Sequence, residues 1–481
     1  MKNELKGKAV SSLFWRFLER CGAQGVTFLV TIVLARLLAP EVYGLMALIT
    51  VFTAILQVFV DSGMGNALIQ KKDADDLDFS SVFFFNLIMC IVLYLLLFFC
   101  APVIAAFYHN PELTPVIRVL GITLLIAGVK NVQQAYISRE LQFKRFFFAT
   151  LGGTIGAAVI GIAMAYMGFG IWALVAQNLF NSMIDTVILW ITVKWRPKLQ
   201  FSFTRVKDLL GYGWKLLVSS LLHTFYTNLR TLIIGKLYTS ADLACYEKGQ
   251  SFPTLIVSNI NASIDSVLLP TMSGVQDSRK TVKAITRRAI MTSSYLMWPM
   301  MIGLAVVAKP LVVLLLTEKW LAAVPFLQIS CFALGLEPLQ TANLNAVKAM
   351  GRSDIFLKLE IVKKTISIVI LLLSMRFGVV AIAVSGLAYS VVATMFNAAP
   401  NKKLLGYSYF EQIRDILPSF TLAMLMGVAV YPIVLIPMPM ILTLLVQVVT
   451  GVIFYVGASA ILKLEPFYYI LNTIRQFKRK D

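Results

Sequence analysis

The stretch GVKNVQQA, residues 128–135, places Lys130, Asn131, Gln133 and Gln134 directly after the apolar run VIRVLGITLLIA. One ammonium and three amides can hold an anion or a hydroxyl-rich ligand, but none of them is a nucleophile. Other polar groups lie as deep. Arg20 and Gln24 fall one and two turns beyond Arg16 on one helix face. Lys215, Ser219, His223, Tyr226 and Arg230 recur at the spacing of a single helical stripe. Lys363 sits about two turns inside its own apolar segment. A cation at the centre of a membrane helix costs about 2.5–3.5 kcal/mol on insertion scales. Together these residues call for a water-filled, positively lined interior rather than lipid.

The elements that must position them are membrane helices. Of 481 residues 58% are hydrophobic and 14% charged, with a mean hydropathy of +0.79, whereas soluble domains are about a quarter charged. Apolar runs of roughly 20 residues follow one another almost end to end, enough for about fourteen helices across a ~30 Å hydrocarbon core. The expected fold class is therefore an all-α polytopic membrane protein. The net charge of +19 is a topology signal. Lys2, Lys6, Lys71, Arg139, Lys144, Arg196, Lys402 and the terminal RQFKRK fall on one side, and Arg36, Lys236, Lys309, Lys319 and Arg376 on the other. That asymmetry places both termini in the cytoplasm and removes the case for nucleic acid.

One unit is written twice, about 200 residues apart. ARLLAPEVYG (35–44) returns as GKLYTSADLA (235–244), GVKNVQQA as GLEPLQTA (335–342), and GFGIWAL (168–174) as RFGVVAI (376–382). Six spans separate the copies, an even number, so the copies run parallel, an arrangement known in transporters with a site between the halves. The expected organisation is an N-lobe over 1–208 and a C-lobe over 209–400, six helices each around a central cavity. Two extra helices and a basic tail follow over 401–481. The copies differ where they are polar: Glu337 replaces Lys130 and Pro338 replaces Asn131. A carboxylate beside a helix break is a candidate for binding Na+ or a proton, which makes Glu337 the ion-coupling candidate.

Several residues have plainer readings. Arg16 and Lys215 accompany Trp15 and Trp214 near the cytoplasmic boundary, where snorkelling suffices. Glu360 and Lys364 are spaced to pair on one helix face. The acidic run DADDLD (73–78) lacks the glycine and distal glutamate of a calcium loop and reads as a solvated cytoplasmic turn. The sequence offers no phosphate-binding glycine loop, no Ser/His/Asp arrangement, no metal set and no long extracytoplasmic loop. No catalytic residue is expected, and the chain does not read as an enzyme.

The segments ARLLAPEVYGLMAL, FVDSGMGNALIQ, AYISRELQFKRF, GFGIWALVAQ and GKLYTSADLACYEKGQ resemble the bacterial oligosaccharide and polysaccharide flippases. These belong to the multidrug/oligosaccharidyl-lipid/polysaccharide exporter superfamily. The similarity is to the exopolysaccharide branch of colanic-acid and teichuronic-acid type. It implies an alternating-access flippase of the bacterial cytoplasmic (inner) membrane serving surface polysaccharide biosynthesis. Undecaprenyl-pyrophosphate-linked oligosaccharide repeat units would move from the cytoplasmic to the outer leaflet. No cofactor is implied beyond a Na+ or H+ gradient, and a glycan polymerase and a chain-length regulator are the implied protein partners. For that cargo Arg20, Lys130, Lys215 and Lys363, with Arg230 in second rank, are candidates for the pyrophosphate. Gln24, Asn131, Gln133, Gln134, Gln340 and Asn343 are candidates for the sugar hydroxyls. A cation-coupled drug exporter and a peptidoglycan-precursor flippase of the same superfamily are the nearest alternatives. A membrane glycan polymerase or ligase is the alternative from another class.

Overall fold

A computed structural model describes residues 22–61, 64–71, 73–140 and 143–477. The described residues form helices joined by short turns, with no β-strand among them. Contacts divide the chain into two compact units, Met1–Ala244 and Cys245–Asp481.

The first unit contains α1 (Gly22–Leu37), α2 (Pro40–Asp61), α3 (Met64–Gln70), α4 (Asp76–Phe107), α5 (Leu113–Leu120), α6 (Ile122–Arg139), α7 (Phe143–Tyr166), α8 (Ile171–Thr192) and α9 (Phe203–Leu237). Helix α10 (Ser240–Ser273) carries the chain from the first unit into the second. The second unit continues with α11 (Arg279–Val306), α12 (Ala308–Leu316), α13 (Val324–Gly335), α14 (Glu337–Ala349), α15 (Ser353–Ser374), α16 (Val379–Leu405), α17 (Tyr409–Val430), α18 (Met440–Ile461) and α19 (Glu465–Phe477).

Among the described residues, eleven helical segments are long and apolar enough to cross a membrane. The three other expected spans are helical too. Helix α1 is short in its described part, and α9 and α15 have the length but are too polar. Those three helices carry Gln24, Lys215, Arg230 and Lys363. The chain is a multi-pass membrane protein. Its outward faces agree: Ile88, Val92, Leu96, Phe99 and Val103 form an exposed apolar stripe along α4, as side chains facing hydrocarbon must.

The repeated glycines have a shared physical cause. A Cβ on Gly128 would lie 2.7 Å from Cys90 Sγ, and one on Gly335 would lie 2.8 Å from the Trp298 ring. In each unit the glycine lets one helix close on its neighbour, α6 on α4 and α13 on α11. The helix breaks differ. In the first unit the interruption falls at Gly121, and GVKNVQQA lies within continuous α6. In the second it falls at Leu336, so Glu337 opens α14 with Pro338 in its first turn, where a missing N–H costs nothing.

Helix α17, outside the internal repeat, is central to the second unit. Phe420 packs edge-on against Trp298 at 4.7 Å, and Tyr295 of α11 donates to Ser459 Oγ of α18 at 3.0 Å. Helix α9 closes on α2 in the first unit, where Gly235 leaves room for Leu48. The acidic run 73–78 is less open than its composition suggests. Asp78 is fully buried, completes a capping box with Asp75, and is paired with Lys71 at 2.6 Å and Arg205 at 3.4 Å. The run caps α4 with Asp73, Asp75 and Asp76 exposed to solvent, while two cations and a backbone N–H satisfy the buried Asp78 carboxylate. The Asp78 backbone N–H, by donating to it, also holds the Asp75 carboxyl below its usual range.

Among the described glycines of the first unit, the tightest backbone approach is at Gly44, where a Cβ would lie 1.8 Å from the Ser240 carbonyl oxygen. Gly44→Ala should therefore collapse the yield of monodisperse protein in detergent. Gly25→Ala, whose Cβ meets nothing within 4 Å, should leave it unchanged. Equal yields for the two variants would contradict the packing described here.

Candidate functional site

Lys130 lies on α6 and faces a pocket of about 260 Å³ lined also by Thr50, Thr53, Gln57, Thr123, Asn178 and Ser182. Helical spacing brings these groups together. Thr50, Thr53, Gln57 and Asp61 recur at i, i+3, i+7 and i+11 on one face of α2. Asn178, Ser182 and Asp185 do so at i, i+4 and i+7 on α8. Gly153 of α7 leaves only 3.3 Å between its would-be Cβ and Asp185 Cβ, so α8 is held by a small-residue contact.

The Lys130 ammonium is not bare. Its Nζ donates to Asp185 Oδ2 at 3.0 Å, with the two side chains 21% and 13% exposed. Asn131 points elsewhere, donating to the Val60 carbonyl at 2.8 Å and to Asp61 Oδ1 at 3.2 Å. Gln57 reaches the same oxygen at 3.0 Å. Gln133 is fully buried and donates to the Trp195 carbonyl at 3.1 Å. Gln134 is half-buried on α6 and Gln24 half-buried on α1.

The pocket walls are rich in acceptors. The hydroxyls of Thr50 and Thr53 donate to carbonyls of their own helix, at Ala47 and Thr50, and that of Thr123 to the Leu120 carbonyl at the end of α5. The Asn178 amide nitrogen donates to the Leu174 carbonyl. What remains for a ligand is hydroxyl and amide lone pairs, the second N–H of the Gln57 and Asn178 amides, one ammonium and the Ser182 hydroxyl, beside the apolar Ala54, Leu120 and Ala127. Such a lining suits a ligand that carries many hydroxyl donors and at least one negative charge.

In the second unit, Glu337 Oε2 accepts from Asn261 at 3.0 Å, and Asp265 Oδ1 accepts from Asn345 at 2.7 Å. Gln340 donates to Ser390 Oγ at 3.2 Å and accepts from Asn397 at 3.4 Å. Asn343 is fully buried between Gln412 and Asn401, at 2.8 and 2.6 Å, an amide network that ties α14 to α16 and α17. Lys363 is buried on α15, and its partner is Glu360 at 2.6 Å. Glu360 thus meets a lysine one residue earlier than the expected Lys364, because the i+3 position is the one that turns inward.

Of the remaining candidates, Lys215 is exposed on α9 and Arg230 half-buried, with its Nε and Nη2 buried and without hydrogen-bond partners. Arg20 lies outside the described residues. The structure brings Lys130 together with acids and hydroxyls that sequence reading did not group with it. The periodicity of α2 and α8 was the available signal.

A family profile described as polysaccharide biosynthesis protein matches residues 33–325. The lipopolysaccharide biosynthesis protein WzxC of Escherichia coli K12 is 23% identical over 424 residues, 87% of this chain and 86% of the relative. The succinoglycan biosynthesis transport protein ExoT of Rhizobium meliloti 1021 is 23% identical over 342 residues, 71% of this chain and 69% of the relative. The solved structure of the lipid II flippase MurJ, in an inward closed conformation, superposes with a TM-score of 0.73 at 14% identity. It covers 95% of this chain and 98% of that one, and it shares the fold.

The Lys363–Glu360 pair gives a direct check on the second unit. Glu360→Gln leaves a buried ammonium without its counter-ion and should lower stability by roughly 1–3 kcal/mol. Adding Lys363→Met should recover most of the loss in detergent thermal melts. A Glu360→Gln protein as stable as wild type would mean that Lys363 does not depend on this partner.

Proposed function

Because the chain belongs to the polysaccharide biosynthesis protein family, we propose that it flips undecaprenyl-pyrophosphate-linked oligosaccharide repeat units across the bacterial cytoplasmic membrane. The cargo would pass from the cytoplasmic to the outer leaflet, with both termini of the protein in the cytoplasm. The observation that carries this reading is the Lys130 pocket. A cation set among hydroxyl and amide acceptors suits the charged, sugar-bearing head of such a lipid. The lipid tail needs no protein enclosure, since it stays in the bilayer. WzxC and ExoT, relatives named for lipopolysaccharide and succinoglycan biosynthesis, support the same class of cargo.

The work is transport rather than bond chemistry. In this reading the polar groups of the first unit bind and release cargo. Lys130 is the central contact for the pyrophosphate, with Arg20, Lys215 and Arg230 as further cations along the route. Lys363 and Asn343 are committed to partners within the second unit, and Gln133 to the Trp195 carbonyl. In this reading those three hold the scaffold rather than the cargo. Gln24 and Gln134 remain as contacts for sugar hydroxyls, while Asn131 and Gln340 already carry hydrogen bonds within the first and second unit. Glu337, opening α14 with a single amide partner, is the residue assigned to ion coupling. A glycan polymerase and a chain-length regulator would receive the exported units.

The test is export in a flippase-deficient bacterial host. Lys130→Ala alone strands Asp185, so the informative variant is Lys130→Ala with Asp185→Asn, alongside Arg20→Ala. Both should abolish surface glycan at near-normal protein abundance. Wild-type glycan from both would reject the cationic binding site. Glu337→Gln should uncouple export from the Na+ or proton gradient, and export that still follows the gradient would remove Glu337 as the coupling group.

A further inference from the structure

An ammonium has three N–H donors, and Lys130 uses one of them, on Asp185 Oδ2. The other carboxylate oxygen, Asp185 Oδ1, is buried without a hydrogen-bond partner. The pair is therefore incomplete on both sides. Asp61, the second acid within electrostatic reach of Lys130, is different, because Gln57 and Asn131 both donate to it. Asp78 is different again, with Lys71, Arg205 and the Asp75 backbone N–H around it. Of these three, Asp185 is the carboxylate that has no hydrogen-bond partner besides its cation.

The internal repeat makes the same distinction. In the register that pairs Gly170 with Gly378, an offset of 208, Asp185 falls opposite Ala393, while in the register that pairs GVKNVQQA with GLEPLQTA, an offset of 207, Lys130 falls opposite Glu337. The acid on α8 is present in the copy that has the cation and missing from the copy that lacks it. It is consequently no part of the repeated packing scaffold. Lys130 also opens onto the acceptor-lined pocket, so an anion entering there meets the ammonium at the face Asp185 does not cover.

We propose that Asp185 is a resident anion that competes for the Lys130 ammonium with an oxyanion of the lipid-linked saccharide during transport. The proposal rests on the flippase reading above. Asp185 then sets affinity. It pairs with the ammonium in the empty state, and it competes with cargo so that cargo is released rather than held. The oxyanion is a phosphate of the lipid carrier or a carboxylate of an acidic sugar, two sources with the same chemistry toward an ammonium.

Isothermal titration of the full-length, detergent-purified protein with inorganic pyrophosphate and with glucuronate tests this. Asp185→Asn and Asp185→Ser should each bind at least one of the two anions roughly tenfold more tightly than wild type. A gain for pyrophosphate identifies the carrier phosphate, and a gain for glucuronate a sugar carboxylate. Lys130→Ala with Asp185→Asn should lose that binding. Folded Asp185 variants with wild-type or weaker affinity for both anions would overturn the proposal. Failure of both to fold would also overturn it, by making the carboxylate a structural counter-ion. If the double variant binds as tightly as Asp185→Asn, Lys130 is not the anion site and the reading of the pocket falls as well. If wild-type binding needs Lys130 but neither Asp185 variant gains, only the role of Asp185 falls. Absence of binding in every protein counts against both.

Discussion

A charged group at membrane depth must find its partner inside the protein, and the Lys130–Asp185 contact is where this chain meets that demand most visibly. Neither side chain can be placed by its own helix. Lys130 arrives on α6, which closes on α4 because Gly128 has no side chain to hit Cys90. Asp185 arrives on α8, seated against Gly153 of α7. The ion pair is the joint product of two small-residue contacts, and the pocket with its threonine hydroxyls follows from the same approach of α2, α6 and α8. Packing at glycine sets the polar geometry, and the polar geometry sets what the pocket can hold.

The two copies of the repeat keep this framework and change its chemistry. Gly128 and Gly335 do the same steric task against Cys90 and Trp298. Beyond the glycines the copies diverge. The first has a lysine with an acid across from it. The second has a glutamate at a helix start with only an amide across from it. Conserved packing with divergent charge is what a duplicated transporter needs if one unit is to handle anionic cargo and the other a coupling cation.

Much of this was legible in the sequence, for reasons that differ by level. Membrane helices declare themselves because twenty consecutive apolar residues have few other uses. The polar word GVKNVQQA was conspicuous for the same reason. What periodicity does not carry is which neighbour a helix turns toward. Asn131 and Gln133 read alike as polar letters, yet one reaches Asp61 and the other is sealed against Trp195. Asn343 reads in the sequence as a candidate for sugar hydroxyls, and its place in a buried amide network is not legible there, because its partners lie on α16 and α17 far along the chain. Asp78 was hidden in an acidic run whose composition suggested solvent, since Arg205, its distant partner, is visible only in three dimensions. Local pattern identified the helices and their oddities, and tertiary contact decided which oddities were structural.

Translocation itself is the quantity on which the functional reading stands. Purified protein reconstituted into liposomes should be given undecaprenyl-pyrophosphate-linked oligosaccharide on one leaflet. Its arrival on the other can be followed with a membrane-impermeant glycan probe. The reading predicts protein-dependent transfer that is lost when Lys130 is removed. Transfer no faster than in protein-free liposomes, or transfer unaffected by loss of Lys130, would contradict it.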